Sequence, residues 1–457
     1  MYSIHTFLLQ KELFRSPEPV KTTVVSSFTD TPALQQIARQ ADSDYILFYT
    51  GTSPIELHPY AIGRMYQIAE SNDGALFYSD YQEIRQGKKI HHPTLEYQTG
   101  SIRNDFDFGQ LLLFRNDSFQ QVVAQMNTDY RFAALYELRL SISRLGKIVH
   151  IPETLYTVQP TDLRLSGEKQ FDYVDPANRE VQLEMEAVCT AHLQAIGAWL
   201  APEFQRIDFG QENFAREASV IIPVRNRKRT IAEAVESALQ QQTDFSFNVI
   251  VVDNHSTDGT GQILTELSRR YPNLIHHIPA STELGIGGCW TEAILLPECG
   301  KFAMQLDSDD LYKDCHVLQR IVDTFYQENC AMVIGSYQMV DFKLEEIPPG
   351  LIAHREWTPD NGRNNALRIN GLGAPRAFYT PVLRQIKFPN VSYGEDYATA
   401  LAISRKYPIA RIYDPLYLCR RWEENSDHDL DIQQLNNYNF YKDKIRTLEI
   451  QARISGK

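Results

Sequence analysis

The sequence predicts an α/β fold built on a parallel sheet with right-handed crossovers. Three observations lead there. Apolar runs of strand length alternate with segments of helical period between residue 218 and about residue 310. Three of the apolar runs end at a polar cluster: RNRKR (225–229), DNHSTD (253–258) and DSDD (307–310). A fainter version of the second half lies in the first.

Residues 219–223 (SVIIP) read as a buried strand closed by proline. Thr230 and Glu233 then stand at capping-box spacing. Ile231, Val235, Ala238 and Leu239 follow at helical spacing, which predicts a helix over 230–241. FNVIVV (247–252) is the next strand, followed by a helix over about 260–270. A short strand near 274–278, a glycine-rich turn (GIGG, 285–288), a helix and a strand at 302–306 complete the stretch. Ligands bind beyond the carboxyl ends of such strands, so the three polar clusters are expected on one rim.

The repeat is clearest where YELRLSISRLGKIVHIPETLYT (136–157) aligns without a gap on YATALAISRKYPIARIYDPLYL (397–418), with nine of 22 positions identical. Upstream, 107–114 pairs with 371–378 and 45–53 with 302–310. The acidic residues do not carry over. Thr50 and Thr52 stand where Asp307 and Asp309 stand, and Ala134 and Leu135 where Glu395 and Asp396 stand. Only about 44 residues precede Tyr45, so the first copy is expected to lack the opening strand–helix unit. Val181, Met185, Val188, His192 and Ile196 form one stripe of a helix over about 177–198, with His192 a packed residue.

Composition narrows the function. The chain has 457 residues and a formal net charge of −13, which repels nucleic-acid phosphates. No apolar run reaches the roughly 20 residues of a spanning helix, and the N-terminus has no signal-peptide pattern. Six scattered cysteines form no C-x-x-C pair and suit a reducing compartment.

The candidate chemistry sits in six places. Asp307 and Asp309 at a strand end can share one divalent cation, and Mg²⁺ or Mn²⁺ prefers such oxygens. Asp253 and Asn254 can address a base or a ribose hydroxyl, or simply form an Asx-turn. Glu395 and Asp396 open a helix, where one could act as a general base; the helix terminus should lower its pKa. In CRRWEENSDH (419–428) an arginine can clamp phosphate, Trp422 can stack on a sugar, and His428 either completes a metal site or is an exposed loop residue. RNRKR is the one dense basic cluster, and it opens a helix. Gly285, Gly287 and Gly288 can allow close backbone approach to a ligand.

Taken in order, VIIPVRN (220–226), VVDNHSTDGT (251–260), GIGGCWTEAI (285–294), QLDSDDLY (305–312), GLGAPRAF (371–378) and GEDYATAL (394–401) resemble the family 2 glycosyltransferases. The resemblance implies a GT-A fold, the Rossmann-like fold of nucleotide-diphospho-sugar transferases, in tandem copies with the first truncated. It covers about 215–430 strongly and 45–157 as an echo. The implied domains are a degenerate, non-catalytic copy at 1–160, a helical linker at 161–214 and a catalytic domain at 215–457.

The resemblance also implies roles. Pro223, Val224, Arg225, Asn226, Asp253, Asn254, Gly285, Asp307, Ser308 and Arg421 would hold the nucleotide. Asp309, with Asp307 and His428, would hold Mn²⁺ or Mg²⁺. Asp396, with Glu395, would deprotonate the acceptor hydroxyl, and with no separate nucleophile the outcome would be inversion. Trp357, Arg376 and Trp422 would face the acceptor, with 347–368 as an acceptor-binding loop. Three positions depart from the common pattern: Asn254 replaces a second aspartate, Trp290-Thr291 an Arg-Asn pair, and Trp422 a histidine. The donor would be a nucleoside-diphosphate sugar and the acceptor a glycan, lipid-linked or small molecule, in cell-surface polysaccharide or glycoconjugate synthesis. A cytoplasmic location, peripheral at the inner membrane face as a variant, and self-association through the first domain complete the expectations. The competing readings are weaker: a processive synthase needs Gln at Leu418, and a nucleotidyltransferase needs a glycine-rich loop after the first strand. A non-catalytic sugar-nucleotide or glycan-binding scaffold suits the first copy better than the second.

Overall fold

The computed structural model describes residues 2–159, 178–210, 212–422 and 431–456. They fall into two compact units, one within Met1–Trp199, Leu367–Ile369 and Leu430–Lys457, the other within Leu200–Ala366 and Asn370–Asp429.

The first unit carries β1 (Ile4–Leu8), β2 (Phe14–Arg15), β3 (Lys21–Val24), β4 (Tyr45–Tyr49), β5 (Ile55–Leu57), β6 (Gly74–Arg85), β7 (Lys88–His92), β8 (Leu111–Arg115) and β9 (Lys147–Val158). The second carries β10 (Ala218–Val224), β11 (Phe247–Asp253), β12 (Leu274–His277), β13 (Phe302–Gln305), β14 (Leu311–Tyr312), β15 (Met332–Val340), β16 (Glu346–Ile352), β17 (Arg376–Tyr379) and β18 (Ile409–Arg420).

In the second unit the sheet runs β12-β11-β10-β13-β17-β15-β18-β14, with β16 added to β15. The half built from β10 to β13 is parallel, as the strand–helix alternation predicts. The rest is mixed, because β17 runs antiparallel to both β13 and β15. Val249, Ile250, Val251 and Val252 are fully buried, the mark of a strand covered on both faces. Each such side chain contributes about 1.5–3 kcal/mol by leaving water. The helix Ile231–Leu239 buries Ile231, Ala234, Val235 and Ala238 against this sheet. Its capping box does not form: the Thr230 hydroxyl donates to the Ser308 carbonyl at 2.9 Å, and Glu233 instead accepts from Arg420. Tertiary partners have taken both side chains.

The first unit repeats this plan. Its sheet runs β3-β1-β4-β8-β6-β9-β5-β2, with β7 on β6. From β3 to β5 the neighbours pair parallel, parallel, antiparallel, antiparallel, parallel, antiparallel. From β11 to β14 the second sheet follows the same sequence of senses. The opening strand expected to be missing is therefore present as β1. What is short is the β1–β3 connection, which holds a three-residue 3₁₀ turn (Lys11–Leu13) where the second unit has a nine-residue helix. His192, on the helix Arg179–Ala195, is buried against Arg144 Nη1 at 3.1 Å, and burial pushes its pKa down to about 3.

Among the described residues no helix is long and apolar enough to cross a membrane. Among the described residues the cysteines form no disulfide.

Candidate active site

The strand ends of the second unit are tied together by a closed circuit of contacts. Beyond β10, Asn226 N donates to Ser256 Oγ at 2.9 Å and Arg227 N to Thr260 Oγ1 at 2.9 Å. Asn226 holds φ 55°, a left-handed conformation that asparagine tolerates better than most residues. Beyond β11, Asp253 Oδ1 accepts from Ser256 N at 2.9 Å and its Oδ2 meets His276 Nε2 at 3.3 Å. Burial works to raise the Asp253 pKa, but the His276 and Ser256 hydrogen bonds outweigh it and hold the carboxylate below its ordinary value. Asn254 Nδ2 donates to the Leu284 carbonyl at 2.7 Å, while its buried Oδ1 has no partner.

Gly285 N donates to Asn390 Oδ1 at 2.8 Å and Gly287 N to the Val391 carbonyl at 2.9 Å. A Cβ on Gly285 would lie 2.6 Å from the Val391 carbonyl carbon. On Gly287 it would lie 2.0 Å from the Pro389 oxygen and 3.0 Å from Glu395 Cβ. The glycine turn thus makes room for the chain's own 389–395 segment.

Glu395 and Asp396 open the helix Glu395–Ser404. Asp396 Oδ2 accepts from Arg376 Nη1. Arg376 donates from N and Nε to Gln305 Oε1 at 3.2 and 3.0 Å, and Gln305 Nε2 donates to Asp307 Oδ1 and Oδ2 at 2.9 and 3.1 Å. Burial works to lower the Arg376 pKa, but the carboxylates of Asp396, Asp307 and Glu395 outweigh it and hold it above its ordinary value. The Glu395 pKa is not lowered as its helix position predicts. Burial, and next the charge of Asp396, push it up to about 8, and its Oε2 is buried without a partner. The terminal dipole is outweighed by desolvation.

Asp307 N donates to Tyr417 Oη at 2.9 Å. Burial lifts the Asp307 pKa against the pull of Arg376. Burial, with Asp309 and Asp307 beside it, lifts Asp310 further. Asp309 Oδ2 lies 3.6 Å from Arg227 Nε and 3.3 Å from Trp422 Nε1. Arg420 N donates to Asp310 Oδ1 at 2.8 Å. The circuit closes through Arg227 back to Thr260.

The remaining expected residues fall as follows. Pro223, half-buried, and Val224, buried, end β10; Arg225 and Asn226 are exposed just beyond, and Ser308 is buried in the aspartate loop. Arg421 N donates to the Val340 carbonyl at 2.9 Å. Trp422 packs edge-on against Phe342 at 5.2 Å. Trp290 is buried against Phe378 and Phe388, so it supplies no polar contact. Trp357 is buried beneath Gly362, and residues 362–367 are buried with it. The segment 347–368 begins in β16, exposes Pro348, Pro349, Leu351, Arg355, Pro359 and Asp360, and ends in buried residues. His428 lies outside the described residues. Among the described residues no three His, Cys, Asp or Glu side chains form a metal cage.

Several residues of the circuit carried no individual signal in the sequence. Gln305 and His276 are examples, whereas Arg227 belongs to the RNRKR cluster. Tyr417 had one: its repeat partner Tyr156 accepts a backbone bond in the same manner, from Gln110 N at 2.7 Å.

Comparison with known proteins now bears on this site. Residues 219–386 match the profile of the glycosyl transferase family 2. This stretch is a family 2 glycosyltransferase domain. Its fold is the mixed α/β GT-A fold. An uncharacterized glycosyltransferase of Nostoc sp. is 32% identical over 123 residues, 27% of this chain and 37% of that protein. The poly(ribitol-phosphate) beta-glucosyltransferase of Bacillus spizizenii is 24% identical over 230 residues, 49% of this chain and 35% of that protein. A minor teichoic acid biosynthesis protein of Bacillus subtilis is 32% identical over 111 residues, 23% of this chain and 24% of that protein. The matches thus span between 24% and 37% of the length of these relatives. The glycosyltransferase domain contains Asp253, Asp307, Asp309 and Arg376, whereas Glu395 and Asp396 lie just beyond the matched residues.

Proposed function

We propose that the second unit is a metal-dependent, inverting glycosyltransferase that moves a sugar from a nucleoside diphosphate to an acceptor hydroxyl. One observation carries this reading. Arg376 touches Asp396 directly and reaches Asp307 through Gln305, so the aspartate loop and the Glu395-Asp396 helix meet at one guanidinium.

In this reading the loops of Asp253, Asn254 and Arg225-Asn226 take the nucleoside, with Pro223, Val224, Gly285 and Ser308 as backbone walls. The unpartnered Asn254 Oδ1 is a waiting acceptor for a donor on the ligand. The aspartate loop suits a divalent cation, because burial and mutual repulsion raise the pKa values of Asp307 and Asp310 beside Asp309. Asp309 and Asp307 would hold that cation, and it would offset charge developing on the leaving diphosphate. Asp396 accepts the acceptor proton. Glu395 is a poor nucleophile, since a pKa of about 8 leaves it mostly neutral at pH 7. With one carboxylate base and no competing nucleophile, displacement inverts the anomeric centre.

The relatives' names favour a cell-surface polymer as the acceptor. The first unit is read as a degenerate, non-catalytic copy, supported by the shared strand order and by Thr50 and Thr52 at the positions of Asp307 and Asp309.

The test is turnover of UDP-, GDP-, CDP- and dTDP-sugars with Mn²⁺ or Mg²⁺, in wild type, Asp309→Ala and Asp396→Asn. One donor should be turned over, and both variants should lose most of the rate. Equal rates in all three would refute the site. Donor binding with no turnover would leave the scaffold reading in its place.

A further inference from the structure

Asp309 is gripped at both its side chain and its backbone. Its Oδ2 faces Trp422 Nε1 at 3.3 Å and Arg227 Nε at 3.6 Å, and its carbonyl accepts from Arg420 Nε. The indole is fixed in turn by its neighbours. Phe342 meets it edge-on at 5.2 Å, and the guanidinium carbons of Arg229 and Arg227 lie 5.4 and 5.8 Å from its ring centre. Phe342 itself is in cation–π contact with Arg229 at 4.3 Å and with Arg420 at 5.1 Å. An indole nitrogen has one N–H and no acceptor capacity. Here that single donor is committed to the carboxylate that the proposed function gives to the cation.

The two donors and a cation want the same oxygen. A divalent ion coordinates a carboxylate at about 2.0–2.6 Å, and its charge repels both an N–H dipole and a guanidinium at that range. Arg227 has a second destination. It follows Arg225 and Asn226, which the glycosyltransferase reading gives to the nucleoside, and its backbone N is tied to Thr260 Oγ1 at 2.9 Å, so only its side chain need turn. A diphosphate suits a guanidinium better than a carboxylate already neutralised by a metal.

Resting on that reading, we infer that Trp422 and Arg227 form a gate on Asp309. They hold the oxygen that the divalent cation requires and yield it when the cation arrives together with a nucleoside diphosphate. A cation alone must displace both donors. With a diphosphate present it displaces only the indole, since the diphosphate draws Arg227 away. Cation and donor nucleotide therefore bind interdependently. No covalent bond is made or broken.

The experiment titrates the full chain with Mn²⁺, alone and with UDP or GDP, and reads free Mn²⁺ by electron paramagnetic resonance against protein-free blanks. Tryptophan emission is followed in parallel. In wild type, nucleotide should tighten Mn²⁺ by at least about tenfold. Trp422→Phe keeps a ring against Phe342 and removes the N–H, while Arg420 still holds the loop through Asp309 O and Asp310 Oδ1. It should bind Mn²⁺ alone about tenfold tighter than wild type. The emission change that Mn²⁺ causes in wild type should vanish in it. Arg227→Ala tests the gate independently: Mn²⁺ alone should again bind tighter, and the gain from nucleotide should shrink. Lost packing would weaken the ion or leave it unchanged, so tightening separates a gate from a merely structural contact. The inference is overturned if Trp422→Phe binds Mn²⁺ no tighter, if its emission still responds as in wild type, or if Arg227→Ala keeps the full nucleotide effect. If Mn²⁺ does not bind wild type with either nucleotide, the metal-dependent reading falls and the gate with it. If Mn²⁺ binds and both variants behave as wild type, the gate alone falls.

Discussion

Arg376 Nη1 donates to Asp396 Oδ2, and the same guanidinium reaches Asp307 through Gln305. Residues 307, 376 and 396 are far apart in the chain, yet one side chain sets the spacing between the proposed cation loop and the proposed base. The contact puts a guanidinium directly beside the proposed base.

Asp396→Asn keeps a hydrogen-bond acceptor for Arg376 but cannot take a proton. We expect kcat to fall by about a hundredfold to ten-thousandfold, with the melting temperature nearly unchanged. A variant that unfolds instead would show that the pair is structural.

Asp309→Ala removes the carboxylate nearest Arg227 and Trp422. Nucleoside-diphosphate affinity should drop by at least about tenfold, a loss of ~1.4 kcal/mol, and should cease to rise with added Mn²⁺. Calorimetric titration with and without the ion checks this. An unchanged ion dependence would move the metal elsewhere.

Glu395 has its pKa pushed up to about 8 by burial and by Asp396. A carboxyl raised in the folded state contributes stability that is complete below its unfolded pKa of 4.5 and is lost as pH rises through about 8. The wild-type melting temperature should therefore fall as pH rises from about 4.5 to about 8, and this contribution should level off above that. Glu395→Gln stays neutral and should flatten that slope. Parallel slopes would rule the assignment out.

Gly287→Ala would bring a Cβ to 2.0 Å from the Pro389 oxygen and 3.0 Å from Glu395 Cβ. The backbone on both sides must shift, at a cost of about 1–3 kcal/mol. Since the displaced segment leads into Asp396, activity should fall together with stability. Full activity at a lowered melting temperature would uncouple the turn from the site.

In the first unit, burial works to lower the His92 pKa, but hydrogen bonds to Asp107 and Glu83 raise it to about 9. The Asp107 contact is 2.9 Å. Stability from this pairing is present below the ordinary value of 6.5 and is lost as pH rises through about 9. Hydrogen exchange in β6 and β7 should speed up over that interval, and His92→Gln should exchange faster at neutral pH with less further change.

The sequence by itself fixed the strand and helix pattern from Ala218 to Gln305, because burial on both faces leaves continuous apolar runs and one-sided burial leaves a helical period. The ordered motifs pointed to the family through residues whose chemistry is carried by type and spacing, as in Asp307 and Asp309. Tertiary structure alone decided the rest. It reversed the pKa shift expected for Glu395, since desolvation depends on what packs overhead. It diverted Thr230 and Glu233 from capping to Ser308 and Arg420. It gave the Gly285–Gly288 turn to the chain's own backbone and buried Trp357. Each of those outcomes turns on a partner distant in the chain, and local spacing holds no record of such partners.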